Sequence, residues 1–170
     1  KALLEQNHIC LPEFAFWTPE DWIKHRGKLD VIRNIYLGWD VKEYSQEMGS
    51  VLFTLRNGRY DDPRIGVPYC EKVILFQDGR RLPLHYHKNK TEDIINRAGN
   101  LMRIVLYNTN ADGALEETPV HVYQDGILHT YAAGEEVLIP PGSSITLVPG
   151  MAHSFGPKPG GGDLIVGEVS

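Results

Sequence analysis

Two glycines, Gly79 and Gly99, enclose the segment that most restricts what this chain can become. Between them the residues run G-x5-H-x-H-x4-E-x6-G, with His85, His87 and Glu92 at the fixed positions. Residues two apart on a β-strand leave the same face, so His85 and His87 point together while Tyr86 points away. Two imidazoles on one face can chelate a single ion. The polar run Lys88-Asn89-Lys90-Thr91 predicts a short turn, after which Glu92 on a neighbouring strand brings a carboxylate oxygen. His153, just behind the turn signal Pro149-Gly150, is expected as the third imidazole. His8, His25, His121 and His129 have no partner at ligand spacing and are read as surface or hydrogen-bonded residues.

The flanking sequence predicts a sheet structure. Asp78-Gly79 is a hairpin signal between the apolar run Val73-Ile74-Leu75-Phe76 and the histidines. From Val51 onward, short β-branched or aromatic runs alternate with turn pairs. Val51 to Leu55 is followed by Asn57-Gly58, and Val120 to Tyr123 by Asp125-Gly126. Such a texture predicts an antiparallel barrel or jelly roll. Residues 1–45 carry helical signals instead. Thr18-Pro19-Glu20-Asp21 reads as an N-cap, a proline at N1 and two acids at the positive end of a helix, with Gly27 as the expected stop. Leu29, Ile32, Ile35 and Tyr36 would share one face of a following helix ended by Gly38-Trp39-Asp40. Trp17, Trp22 and Trp39 are expected to pack these helices on the barrel. The glycines and prolines of residues 156–162 read as a flexible hairpin tip, with a mobile flap at the site mouth as the functional alternative.

A chain of 170 residues with 42% apolar content can bury one sizeable core, which predicts a single domain over 1–170: a helical extension over 1–45 and a β-barrel over 46–170. No apolar run reaches the length of a membrane span. The net charge of −5, without a clustered Lys/Arg tract, argues against nucleic acid or an anionic membrane as partner. Arg80, Arg81, Lys88 and Lys90 read as the rim of a polar site. Cys10 and Cys70 lie far apart, without CxxC spacing or a leader-like segment ahead of them, so a cytoplasmic location is expected.

Three imidazoles and a carboxylate suit Mn, Fe, Co, Ni or Zn and leave positions for water or substrate. A closed structural zinc site would usually recruit thiolates. An open divalent site can polarise a carbonyl as a Lewis acid, or bind dioxygen if it holds iron.

The spacing of residues 79–99 resembles the first motif of the cupin superfamily at every fixed position. The second motif, G-x5-P-x-G-x2-H in that superfamily, is looser here: Gly134 to Gly142 carries the glycines and proline without the histidine, and Pro149-Gly150-x-x-His153 follows. Pro12-Glu13-Phe14-Ala15-Phe16-Trp17, Leu37-Gly38-Trp39-Asp40-Val41, Leu52 to Gly58 and the closing Gly167-Glu168-Val169-Ser170 together resemble the D-lyxose isomerases, over nearly the whole chain. That resemblance implies an all-β cupin jelly-roll barrel with an amino-terminal helical extension. It further implies a Mn(II)-preferring aldose–ketose isomerase acting on a monosaccharide, commonly a homodimer.

For such chemistry Glu168 and Lys90 are the candidate catalytic and substrate-binding residues. Glu168 has the parity of Val166 in the apolar run Leu164-Ile165-Val166, so it is expected to face the barrel and to be desolvated and basic. Lys90 would hold a sugar hydroxyl or steady an enediolate. Arg56 and Thr54 alternate with Phe53 and Leu55, which leaves their facing open and Arg56 a weak candidate beside a polyol. Three alternatives stand: an Fe(II)-dependent cupin oxygenase, a phosphosugar isomerase using Arg80, Arg81, Lys88 and Lys90, and a non-catalytic sugar-binding cupin.

Overall fold

The computed structural model describes residues 2–170. Three short helices come first: α1 (Ala2–Gln6), α2 (Pro19–Lys24) and α3 (Asp30–Asn34), with 3-10 turns at Glu13–Phe16 and Arg26–Lys28. Twelve strands follow: β1 (Gly38–Glu43), β2 (Gly49–Gly58), β3 (Gly66–Phe76), β4 (Glu92–Gly99), β5 (Met102–Thr109), β6 (Leu115–Glu116), β7 (Val120–Gln124), β8 (Ile127–Tyr131), β9 (Glu136–Ile139), β10 (Ser144–Leu147), β11 (Met151–Pro157) and β12 (Leu164–Val169). An 8-stranded sheet runs β1-β2-β3-β12-β4-β10-β7-β8, and a 4-stranded sheet joins β11-β5-β6 with β9 on β5. No helix among the described residues is long and apolar enough to cross a membrane.

Alternation decides which faces meet. Met102, Ile104 and Leu106 of β5, Val120 and Val122 of β7, and Ile145 and Leu147 of β10 are all buried, and they pack with Ile74, Phe76, Ile94 and Val166 into one core between the sheets. The barrel expectation holds. So does the β7–β8 hairpin, where Asp125 and Gly126 both take positive φ (50° and 82°), the combination a two-residue turn requires and glycine tolerates without cost.

The outer face of β2 is covered by the amino-terminal segment. Phe53 is fully buried beneath Phe14 and Trp39, with ring centroids at 5.3 and 5.0 Å, and Trp39 Nε1 donates to the Ala15 carbonyl at 2.8 Å. Thr18 caps α2 in a reciprocal box with Asp21, as the sequence indicates. Four expectations are corrected. Helix α2 closes at Lys24, and Gly27 lies inside a 3-10 turn. Leu29 and Ile35 are buried, but Tyr36 has φ 55° and is exposed, so it leaves the shared face. Residues 38–43 form strand β1 on the edge of the large sheet, so the helical extension does not reach 45. Asn57-Gly58 is no turn: Gly58 pairs with Gly66, Asn57 Nδ2 donates to the Ile35 carbonyl at 3.0 Å, and the connection is residues 59–65.

Candidate metal centre

Ligand-type atoms of His85, His87, Glu92 and His153 all lie within 4.8 Å of one another. His153 sits mid-strand on β11 and Glu92 opens β4, and both are buried, at 1% and 3% exposure. His85 and His87 do not form a regular strand. A single antiparallel bridge joins His85 to His153 through reciprocal backbone hydrogen bonds: His85 N donates to His153 O at 3.1 Å, and His153 N to His85 O at 2.8 Å. The chain is extended there, so the two side chains still converge as their spacing predicts. Tyr86 turns away, its hydroxyl against the backbone at Gly113.

The hydrogen bonds fix which nitrogens are free. His85 Nδ1 faces the Pro83 carbonyl at 2.9 Å and His153 Nδ1 faces the Met151 carbonyl at 3.0 Å. A carbonyl only accepts, so both Nδ1 atoms carry the proton and both Nε2 atoms present bare lone pairs. His153 Nε2 is buried without a hydrogen-bond partner and stands 3.0 Å from Glu92 Oε1, while His87 Nε2 is 3.5 Å from the same oxygen. Lone pairs facing a carboxylate oxygen in a buried site repel unless a cation lies among them. The residues present therefore fit a divalent ion with imidazole and carboxylate donors.

Burial pushes the His85 imidazole below its ordinary range, and does the same to His87. Burial pulls Glu92 upward, but the Lys90 ammonium 2.6 Å away works against this, and the carboxyl is held at about 2. Both signs act alike on stability. The unfolded chain binds protons on these histidines below about 6.5 and on Glu92 below about 4.5, while the folded chain resists until lower pH. The metal-free protein should accordingly lose stability as pH falls through 6.5 and again between 4.5 and 2. Thermal melts of chelator-treated protein at stepped pH check this; a midpoint that stays level from pH 7 to 4 would contradict it.

Beside the ligands lies a chain of alternating charges. Lys90 Nζ sits 2.6 Å from Glu92 Oε2 and 2.7 Å from Glu168 Oε1, and Lys72 Nζ reaches the same Glu168 oxygen at 2.7 Å. Register builds this row: Thr54, Lys72, Glu168 and Ile94 are consecutive cross-strand partners on β2, β3, β12 and β4. Glu168 faces inward, at 7% exposure, as its parity with Val166 predicts. The expected desolvation is found, but not the basicity expected to follow from it. Burial raises it, yet Lys72 and Lys90 together hold it below the usual carboxylate range. Lys72 is the residue that sequence reasoning missed. Its signal was parity, since Lys72, Ile74 and Phe76 share a face that is otherwise apolar.

These groups line a cavity of about 440 Å³, within the range of small-molecule sites. Several other expectations fail. Arg56 turns to the surface and pairs with Glu71. Arg80 and Arg81 lie at Glu43 and Glu47, at 3.1 and 3.8 Å, and line no part of this cavity, so the phosphate pocket of the phosphosugar reading is not assembled. The glycine-rich segment lines no part of this cavity, against the mobile-flap alternative, and is tethered by Asn100 Nδ2 donating to the carbonyls of Lys158 and Gly162 and by Gly160 N donating to Asp78. The Gly134–Gly142 stretch belongs to β9 and the turn after it, and contributes no ligand.

The sequence profile described as D-lyxose isomerase matches residues 1–170. A D-lyxose/D-mannose isomerase of Serratia proteamaculans is 39% identical over 167 residues, 95% of this chain and 73% of the relative. Another, from Escherichia coli O157:H7, is 34% identical over 175 residues, spanning 100% of this chain and 77% of its own. Among solved structures, the L-ribose isomerase of Acinetobacter sp. DL28 in complex with L-ribose has a similar fold, with a TM-score of 0.57 at 16% identity over 99% of this chain and 75% of that one. The L-ribose isomerase of Cellulomonas parahominis gives 0.53 at 16% identity, over 99% and 77%. With the profile matching from end to end and two relatives above 30% identity, the chain belongs to the D-lyxose isomerase family.

Proposed function

We propose that this protein is a metal-dependent aldose–ketose isomerase that interconverts D-lyxose with D-xylulose and D-mannose with D-fructose by proton transfer through a cis-enediol. The observation that carries this reading is the Glu92–Lys90–Glu168 row, which sets an ionised carboxylate one lysine away from the four ligand-type side chains. His85, His87, Glu92 and His153 would hold the ion, which as a Lewis acid would withdraw charge from the sugar carbonyl and acidify the C2 proton. We take Mn(II) as the working ion; the all-nitrogen-and-oxygen donor set, free of thiolate, supports a metal of that kind.

Glu168 is the proton carrier in this reading. Held ionised by Lys72 and Lys90, it accepts the proton from C2 of the open-chain aldose and returns it to C1, while a hydroxyl proton passes from O2 to O1. As Glu168 takes the proton, its negative charge passes to the enediolate. The Lys90 and Lys72 ammonium groups then face that new charge without moving far. One group thus serves as base and then as acid.

The test is ketose formation by metal-stripped protein, with and without added Mn(II), on D-lyxose and D-mannose. Turnover of either sugar that appears only with metal supports the reading. No ketose from either, with metal demonstrably bound, overturns it, and oxygen uptake by the iron-loaded protein would then favour the oxygenase.

A further inference from the structure

One buried polar group on the wall of the cavity has no role in the chemistry above. Ser50 on β2 is 4% exposed, and its Oγ has no hydrogen-bond partner. Ser154, buried on the facing strand β11, is accounted for, since its Oγ donates to the Leu82 carbonyl at 2.6 Å. A buried hydroxyl left unpaired is a cost to the fold, so its retention asks for a partner that arrives from outside the chain.

The direction in which it points follows from register. Ser50, Leu52 and Thr54 share one face of β2, and Leu52 packs against the core and pairs with Ile74 on β3. Ser50 therefore faces inward, and it lines the same cavity as His85, His87 and Glu92. On β1, Lys42 pairs with Ser50 in register and lines the cavity beside it.

The segment that carries Ser50 is also held firmly. Gly49 N donates to the Arg81 carbonyl at 3.0 Å, Arg80 Nη2 donates to Glu43 Oε1 at 3.1 Å, and a Cβ at Gly49 would sit 2.5 Å from the Lys42 carbonyl. The hairpin thus closes tightly onto the stretch that leads into His85. A hydroxyl fixed in this way is preorganised for a ligand.

Resting on the isomerase reading, we infer that Ser50 is a substrate-recognition residue: its hydroxyl hydrogen-bonds a sugar hydroxyl beyond the reacting C1–C2 pair. It contributes to binding and to choice among sugars, and takes no part in the proton transfer.

The test compares wild type with Ser50→Ala, Mn(II)-loaded, on D-lyxose, on D-mannose and on D-mannose analogues lacking one hydroxyl at C3, C4, C5 or C6. The expected result is a KM raised about 3- to 10-fold for the intact sugars with kcat within about twofold, a loss of one hydrogen bond. One analogue should show the same KM with both proteins, which identifies the hydroxyl. The melting temperature of the sugar-free variant should not fall, because Ser50 Oγ makes no bond within the chain; a merely structural serine would lower it. Ser50→Cys, of similar shape with a weak donor, should fall between the two and serves if the alanine variant folds poorly. An unchanged KM for the intact sugars, or an equal penalty on every analogue, overturns the assignment while wild-type turnover preserves the isomerase. Absence of wild-type turnover overturns both.

Discussion

Glu168→Gln should lower kcat by about 10² to 10⁴-fold, the range of a lost general acid–base, while the protein still takes up its metal. The amide keeps the shape and position of the carboxylate on β12 but cannot carry a proton between C2 and C1. Lys72 and Lys90 lose their shared partner, yet both are about a quarter exposed to the cavity and remain hydrated. Glu92 keeps Lys90 and the imidazoles, so the ligand group is untouched. Washout of the C2 hydrogen of D-mannose into solvent, followed with metal content, is the measurement. Continued washout at the wild-type rate would move the proton carrier to another residue.

The second large effect is expected at His153. Its ring is buried, its Nδ1 is committed to the Met151 carbonyl, and its Nε2 is buried without a hydrogen-bond partner. Replacing it with alanine should weaken Mn(II) binding by more than about 100-fold, exceeding the 10- to 100-fold typical of removing a group that only orients a ligand. Turnover should fall with occupancy. The pair of variants separates two duties: Glu168→Gln loses turnover and retains metal, whereas His153→Ala loses both. Metal titration followed by calorimetry checks the latter; wild-type affinity in His153→Ala would remove it from the ligand set.

The gathering of His85, His87 and Glu92 and the barrel were legible because both rest on local spacing, while His153 was added through the turn signal at Pro149-Gly150. His85 and His87 need only an extended backbone, and Asp125-Gly126 needs only two residues that tolerate positive φ. What stayed hidden depended on long-range register. Lys72 acquires its meaning from standing opposite Glu168, 96 residues later in the chain, a pairing no local pattern encodes. The outward turn of Arg56 depends on Glu71 across the β2–β3 ladder, where the register shifts on either side of Arg56. Asn57-Gly58 has the composition of a tight turn, but the side chain of Asn57 is claimed by the Ile35 carbonyl and the strand runs on. Glu168 was placed on the correct face with its acidity misjudged, because burial was visible in the sequence and the two neighbouring ammonium groups were not.

The reciprocal backbone bridge between His85 and His153 uses no side-chain atom. The candidate metal centre is thus framed by main chain, and neither histidine's ring is needed to bring the two segments together. If the site holds an ion, as the proposed function requires, its loss should leave these two segments joined by their own backbone. Which metal a preparation carries will then follow what its surroundings supply, and exchange by dialysis, without refolding, should be enough to change it.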